Sequence, residues 1–193
     1  FNPDQFANPL NAECHYRGTG RELIDELTAA GRTIDAFVAG VGTGGTLIGV
    51  ARALREVNPS VRIVAVEPAE SAVMSGGAAG CHGIQGIGDG FIPALASDGN
   101  GGRHPWIDEV EVVSTDEAVE GANRLSAEYG VCVGVSSGAN FVAAQRLRAR
   151  FGTVATVFAD GYSKYKSAGL KHCGEGRCRF EDPESLLRVR LRS

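Results

Sequence analysis

Apolar, β-branched runs alternate with amphipathic stretches along this chain, and the two patterns predict strands and helices in turn. Nearly continuous apolar runs predict buried strands at residues 35–40, 61–67, 109–114 and 153–159. Apolar positions three and four residues apart predict helices at 20–31, 46–59, 114–130 and 137–152. Strand–helix alternation predicts the α/β class, with a mainly parallel twisted sheet and helices on both faces.

Residues at the predicted helix ends support these boundaries. Ser114 or Thr115 is suited to cap one helix, and Gly130 to end it. Gly152 is placed to end the next helix in the same way. The glycine-rich stretch 75–106 breaks the alternation, and it is too long for a plain connection, so it is expected to be functional or mobile.

Composition narrows the class of protein. The chain has 193 residues and a formal net charge of -4. Basic and acidic residues are mixed along most of it, which argues against a nucleic-acid surface. No apolar run reaches the roughly 18 residues of a membrane helix, and no signal-peptide core is visible. Five widely spaced cysteines do not suggest a disulfide scaffold, so a reducing cytoplasm is the expected compartment.

Three Cys–His neighbour pairs raise the question of a zinc site. They occur at Cys14–His15, Cys81–His82 and His172–Cys173. None has the CxxC spacing typical of structural zinc, so no metal is expected.

The stretch GVGTGGT at 40–46 joins a predicted strand to a predicted helix. A nucleotide P-loop needs a lysine, and none is present here, which excludes that interpretation. A dinucleotide-binding turn is possible because Gly40, Gly42 and Gly45 match GxGxxG. Glu67, at the end of the next strand, stands where a ribose-binding acid would lie, although a structural role at the strand end is the simpler interpretation.

A cup for one terminal phosphate is the third interpretation of the same stretch. Glycine amides at a helix N-terminus form an anion-binding nest. Thr43 and Thr46 add hydroxyl donors, which suits a phosphate monoester with its three oxygens. A glycine-rich turn without a ligand is the remaining alternative.

Further motifs carry a family resemblance. They are VAVEPAESAVMSGG (64–77), HGIQGIGDGFIP (82–93), VSTDEA (113–118), GVSSGAN (134–140) and the stretch 5–23. With GVGTGGT, they resemble the cysteine synthase family of fold-type-II pyridoxal-phosphate (PLP) enzymes in order and approximate spacing. The resemblance covers roughly residues 1–170 and implies the C-terminal half of that architecture.

The resemblance implies roles for individual residues. The phosphate ligands would be Gly42, Thr43, Gly44, Gly45 and Thr46. Ser136 would hydrogen-bond the pyridine nitrogen, although it could also cap the helix that follows. Gly86 and Gly88 would line the substrate side. Asp160 matches an aspartate near the ring nitrogen, although the residues after it depart from the family pattern. Asp89 stands where the family has a small residue.

Lysine is the main departure from the family. PLP enzymes need a lysine for the Schiff base, and in the family it lies in the N-terminal half. The three lysines here, Lys164, Lys166 and Lys171, are all near the C-terminus. The sequence is therefore interpreted as a PLP phosphate-binding domain, 1–170, of an incomplete enzyme that lacks the Schiff-base lysine. An atypical Arg-rich tail, 171–193, follows it.

The resemblance implies a cysteine synthase, a transferase that makes L-cysteine from O-acetylserine and sulfide and acts as a homodimer. Cystathionine β-synthase and O-phosphoserine sulfhydrylase, with related lyase chemistry, share the motifs and remain alternatives. A non-catalytic fragment that binds PLP or a partner, and a dinucleotide-binding domain, are the alternatives from other classes.

Overall fold

The computed structural model describes residues 2–171. Its single parallel sheet has four strands in the order β3-β2-β1-β4. The strands are β1 Ala36–Gly40, β2 Arg62–Pro68, β3 Glu109–Val113 and β4 Val154–Thr156. The α-helices of this part of the chain are α1 Pro9–Arg17, α2 Thr19–Ala29, α3 Gly45–Val57, α4 Thr115–Tyr129 and α5 Val135–Leu147.

Helices cover both faces of the sheet because successive strand residues point to opposite sides. From β1, Phe37 packs into an apolar cluster with Leu47 of α3, to which α1 and α2 also contribute. Val38 packs into a second cluster with Leu147 of α5, to which α4 also contributes. This arrangement confirms the predicted α/β class.

The predicted strands and helices are all present, and most differ only at their ends. Ser114 caps α4, since its hydroxyl accepts from the Glu117 amide at 3.3 Å. The Glu117 carboxylate accepts from the Ser114 amide at 2.9 Å, which completes a capping box. Gly130 ends the helix with a left-handed φ of 68°, as predicted.

The prediction for the ends of α5 is wrong. The helix begins at Val135 and ends at Leu147, five residues before Gly152. A turn follows instead, in which the amides of Arg150 and Phe151 both donate to the carbonyl of Leu147. The side chain of Arg150 then reaches Glu109 of β3. The turn therefore joins the helix to the edge of the sheet.

Helix α1 is absent from the predicted elements. Its sequence has no apolar face, and none of its residues is buried. The signal that marks it is local: the Asn8 side chain accepts from the Leu10 amide at 3.0 Å, and Pro9 occupies the first helical position. From residue 172 onward, the predicted tail lies outside the described residues.

Candidate functional site

The stretch 40–46 lies where β1 ends and α3 begins, as predicted. Gly44 is the N-cap of α3, and its φ of 84° is left-handed, a conformation that favours glycine. The first amides of a helix have no intrahelical acceptor, and the positive end of the helix dipole lies beside them. These amides can therefore bind an anion.

Gly42 is required for a different reason, the close approach of another backbone segment. A Cβ at this position would lie 2.3 Å from the carbonyl oxygen of Gly86. The amide of Gly88 also donates to the carbonyl of Val41 at 3.0 Å. The long glycine-rich connection is thus fastened to the 40–46 stretch and forms part of the wall of the site.

A cavity of about 340 Å³ opens beside this stretch. Residues 85–87, the start of α5 and the segment after β4 complete its lining. Most of the predicted site residues line it together, namely Gly42, Thr43, Gly44, Thr46, Gly86, Ser136 and Asp160. Gly45 and Gly88 are next to lining residues in the chain but are not part of the lining.

Side chains of α1 lie within hydrogen-bond distance of the Thr43 and Thr46 hydroxyls. The Asn11 side-chain amide donates to Thr43 Oγ1 at 2.9 Å. His15 Nε2 lies 3.1 Å from Thr46 Oγ1, and its Nδ1 lies 3.0 Å from Thr19 Oγ1. Burial lowers the pKa of His15, which favours its neutral form. The sequence analysis gave neither Asn11 nor His15 a role at the threonines, because only spatial proximity links them.

Ser136 lies inside the first turn of α5, whose N-cap is Gly134. It is therefore not the helix cap. Its residue is 8% exposed and lines the cavity. The hydrogen bonds found within residues 2–171 include none to its hydroxyl. A hydroxyl in this position is available to a ligand.

Asp160 lies beside the start of α5, where its backbone carbonyl accepts from the Gly134 amide at 3.0 Å, and one of its side-chain oxygens is occupied. Tyr165 donates its hydroxyl to Asp160 Oδ2 at 2.5 Å. This hydrogen bond raises the pKa of Tyr165 to about 12. The other oxygen, Oδ1, is buried without a hydrogen-bond partner in the described part of the chain.

Lys164 occupies a position that the sequence did not indicate. It lines the cavity, with its Nζ 3.8 Å from Asp160 Oδ2, although 70% of its side chain is exposed. Tyr165 lines the cavity beside it. The C-terminal lysine segment, to which the sequence analysis gave no site role, therefore contributes an exposed amine to the lining of the site.

Asn140 is a further residue that sequence reasoning did not assign. It is 4% exposed and lines the cavity. Its Oδ1 accepts from the Gly40 amide at 2.8 Å, and its Nδ2 donates to the carbonyl of Val157 at 2.9 Å. Ser137 similarly accepts from the Ala159 amide at 3.2 Å. These bonds to α5 explain why β4 ends at Thr156, before the predicted residue 159.

Glu67 is not available to a ribose. It is buried, and its carboxylate accepts from the amides of Met74 and Ser75 at 2.7 and 3.0 Å. This geometry supports the structural interpretation over the dinucleotide one. Asp89 is exposed and is not part of the cavity lining.

Two negative findings apply to residues 2–171. No helix there is long and apolar enough to cross a membrane. The same residues hold no cluster of histidine, cysteine and acidic side chains suited to a metal ion.

Fold and site together define an α/β domain that can bind a small phosphorylated ligand at the carboxyl ends of its strands. The pyridoxal-phosphate dependent enzyme family matches residues 1–160, and the chain belongs to this family. Its cofactor is therefore PLP. The residues present fit that group, because the start of helix α3, two threonine hydroxyls and the Ser136 hydroxyl, which has no partner within residues 2–171, line the same cavity.

Known relatives resemble the chain over most of its length. A Staphylococcus aureus protein named cysteine synthase is 43% identical over 173 residues, which cover 88% of this chain and 53% of the relative. A hydrogen sulfide-producing enzyme from Fusobacterium nucleatum has a TM-score of 0.79 and 38% identity, covering 86% of this chain and 49% of its own. The O-acetylserine dependent cystathionine β-synthase from Helicobacter pylori has a TM-score of 0.77 and is 39% identical. The match covers 86% of this chain and 52% of that protein. The chain thus spans about half the length of these relatives.

Proposed function

We propose that this chain supplies the phosphate and pyridine-nitrogen contacts of a PLP-dependent cysteine synthase, which makes L-cysteine from O-acetylserine and sulfide. The observation that carries the proposal is the shared cavity, lined by the 40–46 stretch and by Ser136. The cysteine synthase name of the Staphylococcus aureus relative supports the choice of reaction.

The phosphate end is assigned to Gly42, Thr43, Gly44, Gly45 and Thr46. The amides there donate to an anion, and the positive end of the α3 dipole adds to their effect. The hydroxyls of Thr43 and Thr46 supply two further donors. A phosphate would thus be held by the protein backbone and by neutral side chains.

The ring end is assigned to Ser136, with Asp160 as a neighbour. PLP, when bound, withdraws electrons from the amino acid attached to it. A neutral hydroxyl does not hold a pyridine nitrogen protonated as a carboxylate would. Ser136 therefore favours β-elimination and β-replacement, while Tyr165 engages one oxygen of Asp160.

Gly86 and Gly88 are assigned to the substrate side of the cavity. The backbone of residues 86–88 approaches the 40–46 stretch closely, and Gly86 lines the cavity. Substrate could contact exposed backbone at this wall. The Schiff-base lysine is expected in a part of the protein outside this chain.

Cystathionine β-synthase is the second candidate, supported by the Helicobacter pylori relative of that name. O-phosphoserine sulfhydrylase differs only in the activated serine donor.

We also propose a homodimer in the cytoplasm. The homodimer comes from the family resemblance, and the cytoplasmic location comes from the sequence analysis.

The test compares two substitutions in the protein that contains this chain. We expect Thr46→Ala to weaken PLP retention by roughly 1–3 kcal/mol, the scale of one hydrogen bond to a charged group. Ser136→Ala should leave retention nearly unchanged but alter the rate of cysteine formation and the absorbance of the bound cofactor.

Retention is measured by equilibrium dialysis, and product is assayed with O-acetylserine or O-phosphoserine as donor and sulfide or homocysteine as acceptor. Unchanged retention in Thr46→Ala would contradict the phosphate assignment. Turnover with homocysteine alone would select cystathionine β-synthase.

A further inference from the structure

Asn11 lies behind the phosphate end of the cavity and does not line it. Its side-chain nitrogen carries two protons, and both are used. One is donated to the carbonyl of Gln5 at 2.9 Å, and the other to Thr43 Oγ1 at 2.9 Å. The side chain is also packed tightly, since a Cβ on Gly45 would lie 2.0 Å from Asn11 Oδ1. It therefore has little freedom to turn.

The hydroxyl of Thr43 receives two hydrogen bonds. Besides the bond from Asn11, its oxygen accepts from the Gly45 amide at 3.3 Å. A hydroxyl has one proton and two acceptor lone pairs. The Asn11 bond takes one lone pair of this hydroxyl, and the Gly45 amide takes the other as long as that amide is not donating to a bound anion. Its proton remains to be donated, and no acceptor for it occurs among residues 2–171. Thr43 borders the cavity, which makes the cavity the place for that acceptor.

We infer that Asn11 is a positioning residue that fixes the Thr43 hydroxyl as a hydrogen-bond donor toward the bound phosphate. This inference rests on the proposed function of the 40–46 stretch. It adds that the donor character of the site is set from α1, by a side chain that does not touch the ligand. The direction of the bond matters because an anion needs donors and repels acceptors.

The hydrogen bond to the Thr46 hydroxyl has no fixed direction. Its neighbour is the Nε2 atom of His15, which donates in one tautomer and accepts in the other. An amide nitrogen can only donate. Asn11 therefore imposes a direction on Thr43 that His15 does not impose on Thr46.

Asn11→Asp is the sharpest test because it keeps the shape and reverses the hydrogen bond. The introduced carboxylate would accept the Thr43 proton and place a negative charge near the anion. We expect the affinity for inorganic phosphate to fall roughly ten- to hundredfold. Asn100→Asp, on an exposed loop, adds the same charge and is expected to change the affinity less than about twofold.

Phosphate binding is measured by titration calorimetry on the full-length protein without PLP, at several pH values. Relative to the wild type at each pH, the affinity of Asn11→Asp should recover as the introduced carboxyl is protonated. A purely structural role for Asn11 would give no such pH-dependent recovery.

A double-mutant cycle covers the case in which Asn11→Asp does not fold. Asn11→Ala should lower phosphate affinity when Thr43 is present and have no further effect in the Thr43→Val background. Equal effects in both backgrounds, or wild-type affinity in Asn11→Asp, would overturn the inference and leave the proposed function standing. Failure of the wild type to bind phosphate would instead overturn the proposed site itself.

Discussion

Buried polar side chains determine how the loops at the carboxyl edge of the sheet are arranged. Glu67 and Asn140 each bond backbone groups of neighbouring segments. Glu67 holds the turn after β2, and Asn140 joins the end of β1 to the segment after β4. Removing one partner from such a bond leaves a buried group unsatisfied, which costs more than the bond itself contributes.

Glu67→Gln tests whether the Glu67 carboxylate stabilises the turn after β2. The side-chain amide would present its nitrogen to one of the two backbone amides that now donate to the carboxylate. We expect a loss of about 1–3 kcal/mol in the free energy of unfolding, measured by urea denaturation. Glu26→Gln, on the exposed side of α2, is the control and should change stability by less than about 0.5 kcal/mol. An equally small effect for Glu67→Gln would contradict this role.

Sequence reasoning could propose site residues only where the signal lies in a short local stretch. Glycine and threonine between a strand and a helix indicate an anion site without knowledge of any other contact. Asn11 and Asn140 were missed because their partners are distant in sequence: Thr43 is 32 residues from Asn11, and Gly40 is 100 residues from Asn140. An asparagine alone carries no signal of which backbone group it will meet.

At the scale of elements, an ion-pair cluster joins two strands to the turn after α5. Glu109 of β3 accepts from Arg150 at 2.7 Å and from Arg62 of β2 at 2.9 Å. These hydrogen bonds, with that of Arg150 the larger cause, lower the pKa of Glu109 from 4.5 to about 2. The cluster also accounts for the turn that ends α5 earlier than the sequence predicts.

The lowered pKa has a definite consequence for acid stability. A carboxyl with a depressed folded-state pKa contributes stability above its unfolded value, and that contribution is lost as the pH falls toward the folded value. For Glu109 the loss therefore falls between about pH 4.5 and about pH 2. We expect Glu109→Gln to lower the free energy of unfolding by about 1–2 kcal/mol at neutral pH, after allowance for solvent screening. Near pH 2 the decrease should be much smaller.

Urea denaturation of the wild type and Glu109→Gln across this range measures the difference. Glu26→Gln again provides the control, since its stability should follow that of the wild type at every pH. A difference between the wild type and Glu109→Gln that stays constant with pH would contradict the electrostatic explanation.

At the scale of the whole molecule, the two assigned ends of the cofactor site belong to one chain. The residues proposed for the phosphate and for the ring nitrogen line one cavity at the carboxyl ends of the strands of a single sheet. The alternation of strands and helices predicted this architecture, because each apolar run had to be buried on both faces. The Schiff-base lysine is not assigned to this chain, which covers 53% of the Staphylococcus aureus relative.

Within the described residues, Lys164 is the lysine that lines the cavity. The question is whether Lys164 or a lysine outside this chain forms the Schiff base. It is 70% exposed and lies near Asp160, which favours a peripheral role over a buried, reactive one.

We expect this chain alone, with PLP, O-acetylserine and sulfide, to form no cysteine. In the complete protein, Lys164→Ala should keep cysteine formation within about threefold, with Lys166→Ala as control. Cysteine formation by the chain alone, abolished by Lys164→Ala, would make Lys164 the Schiff-base residue.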